Sequence, residues 1–154
     1  MERCEECGLE IAGGFAACQK LFQDFHAREQ AELAASYAQS RLLVDTYCVQ
    51  HPIEYCASAK SFAAHITGLA YAVESGGNVR GLEILHAWLD RHQQLEKPAI
   101  PKVSFDRTLG DVAKVKNPKE YEALLQRWAL STWDAYTELQ PVALRWLGEA
   151  FDRV

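Results

Sequence analysis

The sequence has no long apolar run. No stretch approaches the ~20 consecutive apolar residues that cross a bilayer as a helix. The first residues, Met1-Glu2-Arg3-Cys4-Glu5-Glu6-Cys7, are charged where the apolar centre of a secretory leader would stand. Both absences predict a cytoplasmic protein without a membrane partner. A Lys/Arg run is also missing, and the formal net charge is −5. Nucleic acid is therefore excluded as an expected partner, because phosphate binding depends on clustered cations. An anionic membrane surface is excluded on the same ground. Repeats and low-complexity tracts are absent. So is any run of alternating polar and apolar residues, which leaves no signal for β-strands.

What is there reads as helix. A chain of 154 residues with 49% apolar and 24% charged residues is ordinary for one globular domain, expected to span 1–154. After a Gly13-Gly14 break, Phe15, Cys18, Phe22, Phe25 and Leu33 recur at near-helical spacing, thinning where Arg28, Glu29, Gln30 and Glu32 crowd together. A second helix is expected from about Ser40 to Gln50, ended by Pro52, since the residue before a proline avoids helical geometry. A third is capped by Ser58, carries Phe62, His65, Ile66, Leu69 and Val73, and stops at Gly76-Gly77-Asn78. A fourth covers about Val79 to Leu95, with Leu82, Leu85, Trp88, Leu89 and His92 on one side.

Pro98 and Pro101 mark a loop, and Thr108 to Val115 reads as a short helix. Asn117 as N-cap and Pro118 at the first helical position begin a strong helix, with Glu120 placed for a capping box. Its inner face carries Tyr121, Leu124, Leu125, Trp128 and Thr132. Gln140-Pro141 is expected to break or kink it, ahead of a last helix bearing Trp146 and Phe151. The sum is an all-α bundle of five or six helices, with residues 1–14 packed on it as a metal knuckle.

That knuckle is the strongest chemical signal. Two thiolates separated by two residues, Cys4 and Cys7, can grip one tetrahedral metal, and Gly8 suits the tight turn that follows. A reducing cytoplasm and an odd total of five cysteines favour ligands or core residues over disulfides. The nearest third ligand is Cys18. The fourth is His51, held by the backbone just before Pro52. The expected site is therefore zinc on Cys4, Cys7, Cys18 and His51, with His65 and Cys56 in reserve. The bland alternatives are a core role for Cys18, Cys48 and Cys56, and helix capping by His51 through a terminal carbonyl. His26, His86 and His92 read as surface or structural, and Trp128, Trp133 and Trp146 as aromatic core or a partner-facing patch.

A second polar string, Asp45, Gln50, His51, Ser58, Lys60, Ser61 and His65, lies close together in the chain. Were Asp45, His51 and His65 to converge, with Lys60 beside them, they could serve metal or acid–base chemistry. Three roles follow: a zinc-stapled helical protein, a metal-dependent hydrolase using the cluster near His51 and His65, and an interaction subunit. The last would meet a second copy or a protein partner through its Trp-rich C-terminal helices.

Cys4-x-x-Cys7-Gly8, Cys18 with Phe22, Val44-Asp45-x-Tyr47-x-x-Gln50-His51-Pro52 and Ser58-Ala59-Lys60-Ser61 with His65 and Gly68-Leu69 resemble the pattern of an uncharacterised family of bacterial proteins. The later Trp128-Ala129 and Trp133 fit it too. The resemblance covers most of the chain and is densest in the first 70 residues. It implies that the cysteine and Gln-His-Pro motifs belong together, and it supplies no reaction. Family members often carry a histidine where this chain has Ser40, so any role of that histidine is absent or moved here.

Overall fold

The computed structural model describes residues 2–91 and 94–152. Among them are eight α-helices and no strand. They are α1 (Gly14–Glu32), α2 (Tyr37–Gln50), α3 (Pro52–Tyr55), α4 (Ala59–Ser75), α5 (Val79–Arg91), α6 (Leu109–Val112), α7 (Pro118–Ala135) and α8 (Gln140–Phe151). Two of these, α3 and α6, are single turns of four residues. The other six make the all-α bundle expected from periodicity. No helix is long and apolar enough to cross a membrane among the described residues.

Local chemistry sets the boundaries. The second helix begins earlier than Ser40 because Ser36 and Gln39 form a reciprocal capping box. Ser58 and Ser61 do the same for α4, whose end is set by Gly76 at φ 83°, a left-handed conformation that glycine adopts without strain. Thr108 and Asp111 cap α6, and Asn117 Oδ1 accepts the Glu120 N–H at 2.9 Å to open α7. Pro141 does not break a helix. The chain has already left α7 at Ala135 and passed a 3₁₀ turn, Thr137–Leu139, so Pro141 stands in the first turn of α8, where a missing N–H costs nothing. The fourth helix ends at Arg91 instead of running to Leu95; His92 lies outside the described residues.

α2 is the central element, packed against α4 and α7, while α4 also meets α5 and α8. The α2–α4 contact is close because Gly68 has no side chain: a Cβ there would lie 2.0 Å from Asp45 Oδ2. All four tryptophans, Trp88, Trp128, Trp133 and Trp146, are buried, so the tryptophans serve the core and not a partner-facing patch. Leu130 and Leu144 are the exposed large apolar residues of the C-terminal helices. The hydrophobic cluster reaches from Ala150 back to Cys4 and Cys7, so the chain start is packed against the helices.

Glu29 departs most from the pattern. It sits in the charged part of α1 yet is fully buried. Its carboxylate accepts the Tyr121 hydroxyl at 2.5 Å and meets His26 Nδ1 at 2.9 Å, tying α1 to α7. Its neighbour Arg28 donates to the carbonyls of Ala113 and Val115. These polar side chains face inward because a fixed partner satisfies each of them.

Candidate metal centre

Residues 2–13 form a compact turn before α1. The Cys4 N–H donates to Leu9 O at 2.8 Å and the Gly8 N–H to Cys4 O at 2.9 Å. This closure needs Gly8 at φ 84°, in the left-handed region. It turns both cysteine side chains to the same side and lets the Leu9 N–H point at Cys7 Sγ, 3.5 Å away. Arg3 and Glu10 pair across the base of the turn.

Two glutamates fasten this turn to the helices. Glu5 Oε2 accepts the Phe15 N–H at 2.9 Å, satisfying a free donor at the start of α1. Glu6 Oε1 accepts the Ile53 N–H at 2.7 Å, two residues past His51. The two acidic residues between the cysteines therefore hold the knuckle against the elements that carry the other two members of the cluster.

Cys18 lies in the second turn of α1 and faces inward. His51 is the residue between α2 and α3, with φ −128° and ψ 59°. Its Nδ1 lies 2.6 Å from Tyr47 O, one helical turn back. That carbonyl can only accept, so Nδ1 carries a proton and Nε2 is the nitrogen turned to the cluster. The capping role and the cluster role considered for His51 are thus compatible, one on each ring nitrogen.

The structure brings Cys4, Cys7, Cys18 and His51 together, with one donor atom from each lying within 4.8 Å of the others. Cys7 Sγ and Cys18 Sγ are 3.8 Å apart, and Cys18 Sγ and His51 Nε2 are 3.5 Å apart. A tetrahedral zinc with sulfur at ~2.3 Å and nitrogen at ~2.0 Å sets these separations at about 3.8 Å and about 3.5 Å. All five cysteines are free thiols, so no disulfide competes for the sulfurs. Both separations match, and the four side chains together could hold a metal ion.

Among the side chains themselves, the charge distribution is already polarised. The Cys7 hydrogen bond pulls the Cys18 thiol down to about 4, against desolvation, with help from His51 and Tyr47. The same bond and burial push Cys7 up. Burial alone would lower His51, but hydrogen bonds to Cys18, Cys4 and the Tyr47 carbonyl outweigh it and raise the imidazole to about 9. Burial, then the contact with Cys18, raises the Tyr47 phenol, which keeps its proton and remains a donor.

The reserve candidates are elsewhere. Cys56 is fully buried, donates to Cys48 O at 3.5 Å, and is pushed up to about 12 by burial. His65 Nδ1 meets Asp45 Oδ1 at 2.8 Å on the α2–α4 face, and Arg41 lies 3.6 Å from Asp45 Oδ2. Asp45 and His65 therefore do converge, but His51 is not with them. His51 stands six positions after Asp45, which puts their side chains about 120° apart around a helix of ~100° per residue. Lys60 leaves the cluster too, reaching Asp90 at 3.5 Å.

Sequence reasoning overlooked Tyr47, Glu5 and Glu6. In the sequence Tyr47 stands out only as part of the Val44-to-Pro52 motif. Its place one turn before His51 was the available signal, because residues four apart share a helix face.

The profile of the Family of unknown function (DUF5946) matches residues 2–137. No curated protein and no solved structure gives a match. The chain belongs to that family of unknown function, whose matched region contains the whole cluster.

Proposed function

We propose that this family member is a zinc protein, with one ion held by Cys4, Cys7, Cys18 and His51 and serving mainly to staple the chain start onto the helical bundle. The observation that carries the reading is the convergence of four metal-ligand side chains, two of whose separations match a tetrahedral metal, in a buried site. The four residues are only 2%, 4%, 0% and 0% exposed, in chain order. Three thiolates and an imidazole are a soft, tetrahedral donor set, which suits zinc. A hydrolytic zinc keeps one coordination position open to water. Four protein donors would fill a tetrahedron, and all four are shielded from solvent, which favours a structural role over catalysis.

The staple would add to the two glutamate contacts that hold the chain start against the helices. Residues 2–13 contain no helix and contribute few apolar side chains to the core. A metal binding only the folded chain would add its binding free energy to the stability of this attachment. A reducing cytoplasm, the compartment proposed for it, would keep the thiols available. The whole chain would then act as one domain, in a binding or regulatory role.

Elemental analysis of the purified protein tests the reading. One zinc per chain is expected, falling to well below half an equivalent in Cys4→Ser and in His51→Ala. A chain isolated without metal that takes up no zinc when titrated would overturn it.

A further inference from the structure

Tyr47 touches the cluster in three ways. Its hydroxyl donates to Cys18 Sγ at 3.5 Å. Its ring stacks on the His51 imidazole, with centroids 3.9 Å apart and planes 24° from parallel. Its carbonyl takes the His51 Nδ1–H at 2.6 Å. The other face of the ring lies on Phe22 at 3.9 Å and 3°, so the phenol cannot turn away. Tyr47 is itself fully buried, which excludes water as a competing partner for the hydroxyl.

We propose that Tyr47 is the positioning residue of the metal site, setting the orientation of His51 and the electron density on the Cys18 thiolate. The inference rests on the zinc reading above and goes past it by separating the cluster into two halves. Cys18 stands on α1 and His51 at the junction of α2 and α3, and the two are linked through one rigid side chain. Cys4 and Cys7 stand on the knuckle. The helical half is arranged by core packing, and the knuckle closes onto it.

The physical reason lies in what a hydrogen bond does to a metal thiolate. A phenol donating to the sulfur withdraws electron density, lowers the energy of the sulfur lone pairs and directs the remaining pair toward the metal. The Tyr47 carbonyl does the converse for His51: by holding the proton on Nδ1 it fixes the tautomer and raises the basicity of Nε2. One residue thus tunes a sulfur and a nitrogen ligand in opposite senses. Losing an outer contact of this kind typically costs 10–100-fold in metal affinity.

Cobalt(II) as a spectroscopic probe in the full chain tests this. Tyr47→Phe keeps the ring, the stacking and the carbonyl, and removes only the hydroxyl. Tyr55→Phe is the control: its ring meets Tyr47 edge-on at 5.7 Å, but its hydroxyl accepts from Gln19. Tyr47→Phe is expected to bind one cobalt about 10–100-fold more weakly by chelator competition. Its sulfur-to-cobalt charge-transfer band should move to longer wavelength, because the thiolate becomes the better electron donor. Tyr55→Phe should match the wild type in both. Should Tyr47→Phe fail to fold, 3-fluorotyrosine at position 47 alone carries the same test. Its more acidic hydroxyl should shift the band to shorter wavelength.

A wild type that binds cobalt, beside a Tyr47→Phe with the same affinity and band, overturns this inference and leaves the metal reading standing. Equal weakening in Tyr47→Phe and Tyr55→Phe, without a band shift, also overturns it, since packing alone would then account for the loss. A wild type that takes no cobalt overturns both.

Discussion

His51 Nε2 lies 3.5 Å from Cys18 Sγ, across 33 positions of sequence. The contact joins the end of α2 to the second turn of α1, and the Cys4–Cys7 knuckle covers it. The consequences reach the stability of the chain start, the pH response of the cluster and the packing around α2.

Metal removal should loosen one end of the molecule and spare the rest. The bundle has a core of its own helices, including the buried Trp88, Trp128, Trp133 and Trp146, none of which is among the four cluster residues. Treatment with a strong chelator is expected to leave helical circular dichroism nearly unchanged. Amide hydrogen exchange at Cys4, Gly8 and Leu9 should accelerate. Zinc present at a thousandfold excess over its dissociation constant would restore about 4 kcal/mol of stability, read as a rise in melting temperature. Global unfolding on chelation would contradict this division.

Metal uptake should release protons at neutral pH. Cys18, pulled down to about 4, is already a thiolate there. His51, raised to about 9, and Cys7, pushed up, hold protons that a metal must displace. Below these values each displaced proton makes affinity rise about tenfold per pH unit. The dependence should flatten as pH rises through about 9, where His51 loses its proton without help. Zinc titration in weakly buffered solution with an indicator dye, at pH 6.5 and 7.5, measures it. Uptake with no proton release at pH 7 would be the contrary result.

Gly68→Ala should destabilise the fold. A helix interior normally favours alanine, but here the added Cβ would lie 2.0 Å from Asp45 Oδ2 and 2.7 Å from its Cγ. Asp45 is buried and held by His65 and Arg41, so it has little room to retreat. Overpacking of this sort costs about 1–3 kcal/mol. Urea denaturation should show it, with zinc content unchanged because the cluster lies on a different face of α2. A more stable alanine variant would mean that α2 and α4 separate easily.

Tyr121→Phe should cost about 1–3 kcal/mol, because it removes the hydroxyl donor of a fully buried carboxylate. Glu29 would then keep only its contact with His26. Pairing Tyr121→Phe with Glu29→Gln in a double-mutant cycle separates the bond from packing. Additive losses would show that the two groups do not act together.

By itself the sequence determined the helical architecture and named four residues that the fold brings together. Both were legible because they depend on local rules. Apolar spacing and the Ser58 and Asn117 caps speak through neighbours in the chain, and so does the proline after His51. Two cysteines with a following glycine turn toward one point in any context. Tertiary structure alone decided the rest. It buried Glu29 by bringing Tyr121 from α7, and it parted Asp45 and His65 from His51 by the rotation of α2. It also made Tyr47 the common neighbour of Cys18 and His51. Each of these depends on a partner far away in sequence, and burial is a property of the assembled surfaces that no local pattern encodes.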